Sequence, residues 1–509
     1  MIWNVLEYLE SSALAHPYKI CFADEGERTT FSEVRDNARA IASCLLEATG
    51  GARNQPVAVS IDRSIAPLVA FLGVVYSGNF YVPVDLQLPR SRLENMFNTL
   101  QPGVLLTSGK DRETLEGLSF NGRVITFDEA RQHPIAEGSL AGVRRQAIDT
   151  DPLYAIFTSG STGVPKAVLV SHRSVIDLIE HFADIFGFSP DNVFGNQAPF
   201  DFDVSVKDIY STLKNAASLQ VIPRRLFSFP GELFKYLNAR NINTAIWATS
   251  ALRIVHNLHA LEGELPHSLK QILFSGEVMP NKVLNYWRSH LPDVQYVNLY
   301  GPTEITCNCS YYIVDRDFND QDALPIGFPF PNTDILVLND KDQLVTGDEI
   351  GEICVRGSSL ALGYYNSPTE TAKAFCQNLL NPHYPERIYR TGDLGRYNQR
   401  GELMFLSRKD SQIKHMGHRI ELGEIEVAVN ALPFLDAACC LYSPEEEKIV
   451  LFYQADAPCE REILLGLRQS LPKYILPNKL VWYERLPMNK NAKIDRVRLM
   501  EEYERGKSS

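Results

Sequence analysis

Short apolar runs closed by turn residues alternate along the chain with longer stretches whose apolar positions recur at helical spacing. Residues 56–61, 80–84, 103–107, 124–127, 219–222 and 271–274 are predicted strands, and 66–77 is a predicted helix between the first two. Runs this apolar offer no polar face to water. They predict largely parallel sheets with helices over both faces. From Asp334 the texture changes, and 335–338 and 352–356 read as strands of a smaller, more antiparallel unit. After Arg408 a charged, turn-rich passage leads to an amphipathic helix at 421–432, and 450–453 and 480–483 add strands to a compact C-terminal α+β domain.

At 509 residues the chain is long for a single core, so more than one domain is expected. With 45% hydrophobic and 22% charged residues the composition is that of an ordinary globular protein. A formal charge of −12 repels a nucleic-acid backbone, although one nucleotide held in a local cradle is compatible with it. The nine cysteines are scattered without metal-ligand spacing and read as reduced thiols. Glu7 and Glu10 stand where a signal peptide needs cations, and the apolar stretch 66–76 is far shorter than the roughly 20 residues of a membrane helix. A cytoplasmic protein with no membrane and no nucleic-acid partner is expected.

The sharpest local signal is Thr158-Ser-Gly-Ser-Thr-Gly-Val-Pro-Lys166, directly after the strand-like Tyr154-Ala-Ile-Phe157. Gly160 and Gly163 free the backbone to wrap an anion, while Thr158, Ser159, Ser161 and Thr162 add hydroxyl donors and Lys166 adds a positive charge. This is phosphate-binding chemistry. It is not a Walker A loop, because Pro165 separates Gly163 from the lysine and no Ser or Thr follows. A plain Ser/Gly surface loop is the alternative.

Residues 156–166 resemble the phosphate loop of the acyl-adenylate-forming superfamily, which includes adenylation domains of peptide synthetases, acyl-CoA ligases and luciferases. Further motifs are similar to that family's, in the same order: Gly78-Asn-Phe-Tyr-Val-Pro-Val-Asp85, Asn298-Leu-Tyr-Gly-Pro-Thr-Glu304, Gly351-Glu-Ile-Cys-Val-Arg-Gly357, Tyr389-Arg-Thr-Gly-Asp393, Arg408-Lys-Asp-Ser-Gln-Ile-Lys414, Gly417-His-Arg-Ile-Glu-Leu-Gly-Glu424, Leu471-Pro-Lys-Tyr-Ile-Leu-Pro477 and the stretch 489–496. The resemblance implies an α/β fold. Its large N-terminal adenylate-forming core, residues 1–408, has two layered α/β subdomains plus a small β-barrel-like subdomain. A small mobile C-terminal α+β domain, residues 409–509, carries the catalytic lysine.

The resemblance also assigns roles, and residue chemistry makes each sensible. Tyr300 offers a face on which adenine stacks. Gly276, Glu277 and Val278 line the adenine edge, with Asn298, Leu299 and Gly301 completing the nucleotide-contact motif. Thr303 gives a hydroxyl to the α-phosphate, and Glu304 gives a hard oxygen to Mg²⁺. Asp393 accepts from the ribose hydroxyls. Arg408 is a permanent cation near ribose and phosphates. Lys493 bridges the carboxylate and α-phosphate as negative charge builds. Taken singly, Asp393 also reads as a turn cap, Glu304 as a helix cap and Lys493 as a solvated surface charge. Ala167 and Ala492 replace glycines usual in the family, and alanine resists positive φ.

The segment Pro199-Phe-Asp-Phe-Asp-Val-Ser-Val206 resembles the motif in which amino-acid-activating members set an aspartate against the substrate ammonium. Here that residue is Asp203, with Phe202 beside the carboxylate. A pocket aspartate favours an amine and penalises a plain fatty acid; the alternative is an Asp that caps the following helix. The resemblance places Val204, Lys207, Ala248, Leu273, Ser275, Leu299, Cys307 and Asn308 in the remaining wall, which suits a small or medium substrate. Lys207 has two readings. It pairs with a substrate acid or hydroxyl, or the apolar face of Val206, Ile209 and Tyr210 turns it to solvent, as helical amphipathicity favours.

These features look closest to stand-alone members such as D-alanine–carrier protein ligases, except that Ser275 stands where those carry a cysteine. The expected activity is ATP-dependent activation of a small amino acid as aminoacyl-AMP, with Mg²⁺ and release of pyrophosphate. Transfer to the phosphopantetheine thiol of a separate carrier protein follows. The family resemblance puts a hinge at Lys409 and Asp410 and a thiol tunnel near Gly417. An acyl- or aryl-CoA ligase, an aminobenzoate-type activating enzyme and an inactive nucleotide-binding relative are the alternatives.

Overall fold

The apolar runs become strands at the expected places, because backbone flanked by apolar side chains on both faces finds its hydrogen-bond partners in a sheet. The computed structural model describes residues 2–110, 112–118, 120–159, 165–409, 412–488 and 494–505. The chain divides into two units, one of residues 1–86, 99–157 and 167–409 and the other of residues 87–98, 158–166 and 410–509.

In the first unit, a nine-stranded sheet runs in the order Phe328–Pro329, Ser310–Ile313, Gln295–Tyr300, Gln271–Ser275, Thr244–Ala248, Val193–Asn196, Ser218–Val221, Ile20–Ala23, Arg28–Thr30. Its inner strands, from Gln295–Tyr300 to Ile20–Ala23, are parallel, and antiparallel strands close both edges. A seven-stranded sheet is built around the parallel neighbours Phe80–Val84, Pro56–Ser60 and Val104–Thr107. The helices Phe31–Ala48 and Ala66–Tyr76 pack on each other. The first begins in a capping box of Thr30 and Glu33. Gly73 permits the close crossing, since a Cβ there would lie 2.5 Å from Ile41 Cγ2. The helix Val204–Lys214 packs against the strands Val193–Asn196 and Thr244–Ala248 and the helices Leu6–Ala15 and His172–Phe186, and all its residues from Val204 to Leu213 are buried.

The smaller unit foreseen after Asp334 is a five-stranded antiparallel sheet, with Thr333–Leu338, Gly351–Gly357, Arg387–Tyr397 and Phe375–Gln377 in order and Leu403–Arg408 paired to Arg387–Tyr397.

The second unit holds a hairpin, Gln412–His415 with His418–Glu421, and a three-stranded sheet of Ala437–Ser443, Lys448–Gln454 and Lys479–Tyr483. Helices Leu422–Asn430 and Glu460–Leu467 cover it, their Ile425, Val429, Ile463 and Leu467 sharing a core with Leu451 and Tyr453. All nine cysteines are free thiols. Among the described residues, no helix is long and apolar enough to cross a membrane.

Candidate active site

The carboxyl ends of parallel strands are where an open α/β sheet leaves a crevice for ligands. Three successive neighbours, Thr244–Ala248, Gln271–Ser275 and Gln295–Tyr300, deliver Ala248, Ser275 and Tyr300 to that edge. The chain then turns sharply. Gly301 is required there, because a Cβ would meet Asn308 Cα at 2.6 Å and the Cys307 carbonyl oxygen at 2.7 Å. Thr306 and Cys307 both lie in the left-handed region, at φ 58° and 70°. Two such non-glycine residues in sequence store backbone strain that the surroundings must hold. The Thr306 hydroxyl donates to the Ser359 carbonyl at 2.7 Å, and the Cys309 N–H donates to the Tyr300 carbonyl at 2.8 Å.

Tyr300 and Asp393 are buried, and Arg408 joins them half-buried. The Tyr300 hydroxyl donates to Asp393 Oδ2 at 2.5 Å, and Arg408 Nη1 donates to Asp393 Oδ1. Burial, then the neighbouring carboxylate, pushes the Tyr300 phenol well above its ordinary value, so it stays a donor. Asp393 and Arg408 face each other across the antiparallel strands Arg387–Tyr397 and Leu403–Arg408, which overturns the turn-cap reading of Asp393.

Glu304 lies within the short 3₁₀ turn Thr303–Ile305, 1% exposed, and the Tyr364 hydroxyl donates to its Oε1 at 2.8 Å. It caps no helix. Among the described residues, no group of three or more His, Cys, Asp or Glu is placed to cage a metal. A magnesium ion carried on nucleotide phosphates needs only one or two protein carboxylates, so this donor set fits that ion and no all-protein site.

The other residues expected to contact the nucleotide divide. Gly276, at φ 101°, gives the chain its turn after the strand Gln271–Ser275. Glu277 is ion-paired to Arg253 at 3.4 Å, Val278 is exposed, and Asn298 donates to the Pro325 carbonyl at 2.8 Å. Leu299 is buried. At the expected phosphate loop, Thr158 ends one strand and Lys166 begins the next, with the Thr158 hydroxyl 3.5 Å from the Lys166 carbonyl, and the Ser159 hydroxyl donates to the Arg419 carbonyl at 2.7 Å. Gly160, Ser161, Thr162, Gly163, Asp410, Ala492 and Lys493 lie outside the described residues. Ala167 sits in the strand Lys166–Ser171 without positive φ, so no glycine is needed at that position. Lys409 donates its N–H to the Gly392 carbonyl at 2.7 Å. Met416 and Gly417, both left-handed, form the tip of the hairpin in the second unit, and His418 stacks on Tyr474 with ring centroids 3.7 Å apart.

Asp203 precedes the helix Val204–Lys214 but makes no side-chain capping hydrogen bond, which removes the cap reading. Phe202, Asp203 and Ala248 are half-buried, while Val204, Leu273, Ser275, Leu299, Cys307 and Asn308 are buried. The Cys307 thiol donates to the Asp203 carbonyl at 3.1 Å, and burial holds its pKa far above the ordinary thiol value. It is therefore a neutral wall group.

The solvent-facing reading of Lys207 is corrected. Lys207 is 0% exposed, and its Nζ donates to Asn308 Oδ1 at 2.7 Å and Ser275 Oγ at 3.4 Å. The helix is enclosed on every side and has no solvent face to offer. Polar periodicity misleads when the polar residues point at other polar groups inside the protein.

The neighbouring Asp208 and the groups that hold it escaped the sequence reading. Asn196 donates to Asp208 Oδ2 at 2.8 Å, and Arg63 donates to Asn196 Oδ1 at 2.9 Å and to the carbonyls of Asn196, Ala198 and Ile222. The only available signal was adjacent opposite charges inside an otherwise apolar helical run. Tyr364, which holds Glu304, had no local signal at all. Burial pushes the Asp208 carboxyl from 3.8 up to about 7, against the opposing pull of Asn196, Lys207 and Arg63. The folded chain thus keeps a proton that the unfolded chain has released, so this group's stabilisation is full at low pH and is lost as pH rises through 7. Asp208→Asn is expected to remove about 3 kcal/mol of the stability difference between pH 5 and pH 8, read from denaturant melts at the two pH values.

Residues 9–365 match the sequence model described as AMP-binding enzyme. The chain is 30% identical over 517 residues to a D-alanine–D-alanyl carrier protein ligase from Bacillus licheniformis, covering 98% of this chain and 99% of the relative. It is 31% identical over 504 residues to bacitracin synthase 1 from Bacillus licheniformis, covering 97% of this chain but 9% of that protein. The chain thus spans a small part of that synthase and nearly all of the ligase. The fold matches the Vibrio cholerae adenylation domain AlmE, solved in complex with glycyl-adenosine-5'-phosphate, with a TM-score of 0.84, 21% identity and coverage of 99% of this chain and 98% of that one.

Proposed function

We propose that this chain, which belongs to the AMP-binding enzyme family, activates an amino acid as its aminoacyl-AMP and passes the acyl group to the phosphopantetheine thiol of a separate carrier protein. End-to-end similarity to a carrier protein ligase supports the acceptor. The observation that carries the amino-acid reading is Asp203. It heads the buried helix Val204–Lys214 without capping it, and its carbonyl accepts from Cys307 in the turn beyond the strand edge where the other expected pocket residues gather.

In the first step a carboxylate oxygen attacks the α-phosphorus of ATP, the P–O bond to pyrophosphate breaks, and the mixed anhydride forms. Asp393, held by Tyr300 and Arg408, accepts from the ribose hydroxyls. Thr303 donates to the α-phosphate, and Glu304, oriented by Tyr364, would give an oxygen to a magnesium ion, which would supply neutralisation of phosphate charge. Gly160, Ser161, Thr162, Gly163 and Lys166 cradle the leaving phosphates. Lys493 supplies positive charge between the carboxylate and α-phosphate. In the second step the carrier thiol adds to the carbonyl carbon, gives up its proton and expels AMP. The division of the chain between Lys409 and Asp410 supports a pivot there for the change of step, with Gly417 near the thiol path.

Pyrophosphate release with ATP, Mg²⁺ and single acids tests this reading. A strong response to α-amino acids, with thioester formed on a carrier and none on free coenzyme A, is expected. A response confined to acids without an α-amine, or thioester on coenzyme A alone, overturns it.

A further inference from the structure

A buried lysine is rarely left without an anion, because taking its charge out of water costs far more than hydrogen bonds to neutral oxygens return. Lys207 is such a case. Its ammonium has three N–H groups, and the structure gives it an amide oxygen and a hydroxyl, Asn308 Oδ1 and Ser275 Oγ. Among the described residues it makes no ion pair with a carboxylate. Desolvation lowers its pKa, as expected of a cation short of counter-charge.

The nearby acidic groups are Asp203, Asp208 and the Cys307 thiol. Cys307 is held neutral by burial. Asp208 accepts from Asn196, which accepts in turn from Arg63, and burial raises its carboxyl to about 7, so it faces away into that group and brings little negative charge to the lysine. Asp203, in the amino-acid reading, is committed to the substrate's α-ammonium. One positive charge in the wall is then unmatched, and it belongs to Lys207.

Asp203 and Lys207 are four residues apart at the start of the same helix, so they share a face about one turn apart. Their partners in the wall, Ser275 and Asn308, are residues placed at the strand edge and in the turn beyond Gly301. We infer that the pocket is built for an amino acid with a side-chain carboxylate, its α-ammonium set against Asp203 and its side-chain carboxylate completing the ring of Asn308 and Ser275 around the Lys207 ammonium. The negative–positive pair along the helix is then the mirror of the positive–negative pair on a dicarboxylic amino acid. The inference rests on Asp203 as the amine anchor and adds the class of side chain.

Both parts are separable by experiment. Pyrophosphate release by the full chain is measured with aspartate and glutamate, with their amides, and with alanine, leucine and serine. One of the dicarboxylic acids is expected to exceed its own amide by about 100-fold in kcat/KM, since an uncharged isostere leaves the lysine unpaired. An amide or an apolar amino acid used as well as either dicarboxylic acid overturns the inference while leaving the amine reading intact. A response only to acids lacking an α-amine overturns both. Lys207→Met keeps the volume of the stem without its charge. It is expected to lose about 100-fold on the dicarboxylic acid while holding or gaining activity on the amide or on methionine. Activity on the neutral substrate reports that the variant is folded. An unchanged ratio of dicarboxylic acid to amide in Lys207→Met overturns the inference.

Discussion

Asp393→Ala is expected to lower kcat/KM for ATP by about 100- to 1000-fold, the kinetic equivalent of about 3–4 kcal/mol, as for breaking a buried charged pair from one side. Asp393 is 2% exposed and accepts from both the Tyr300 hydroxyl and the Arg408 guanidinium. Removing it does more than delete an acceptor for the ribose. It also takes from the buried Tyr300 hydroxyl and the half-buried Arg408 guanidinium the carboxylate they share, and losing a charge-assisted acceptor costs more than an ordinary hydrogen bond is worth. Asp393→Asn keeps the shape and one acceptor oxygen, so a smaller loss of about 10-fold is expected. Steady-state kinetics against ATP, beside a melting temperature for each variant, separates the two contributions. A fall in melting temperature with unchanged kcat/KM for ATP would make Asp393 a structural residue only.

Lys493→Ala is expected to reduce aminoacyl-AMP formation by about 100- to 1000-fold while leaving binding of the amino acid and ATP nearly unchanged. A cation set between the carboxylate and the α-phosphate meets most of its opposing charge as the new P–O bond forms and pyrophosphate departs. Its loss therefore falls on kcat, and on kcat/KM to the same extent, with little change in KM. Transfer of the acyl group from supplied aminoacyl-AMP to a carrier thiol needs no such charge, because the anhydride is already made. That half-reaction is expected to keep most of its rate. Single-turnover measurement of each half-reaction distinguishes the outcomes: unchanged adenylation would refute the electrostatic role, and equal loss of both halves would point to a damaged fold.

The expectations that succeeded were those carried by short-range chemistry. An apolar run such as 80–84 has one way to satisfy its backbone while burying both faces, and it becomes the strand Phe80–Val84 of a parallel sheet. The helix expected at 421–432 forms as Leu422–Asn430, since its spacing alone specifies a buried face. The segment Asn298 to Glu304 ends a strand and turns at Gly301, because glycine followed by proline leaves the backbone few choices. Even so, the backbone strain at Thr306 and Cys307 became visible only once the turn was folded.

Side-chain direction was the part that local pattern could not supply. Asp203 kept a cap reading beside the favoured anchor reading until the folded helix showed no capping bond. Lys207 read as solvent-facing because helical periodicity assumes that one side of a helix meets water. Here neighbours from distant parts of the chain enclose the helix, and the lysine meets Ser275, 68 residues away, and Asn308, 101 residues away. Asp208 with Asn196 and Arg63, and Glu304 with Tyr364, are likewise assembled across long sequence separations. The sequence by itself determined the elements, the sheets and the reaction class, because these follow from periodicity, turn chemistry and motifs whose residues are adjacent. Only the tertiary structure decided which charges are buried and what faces them, because desolvation and pairing depend on every element that closes around a side chain.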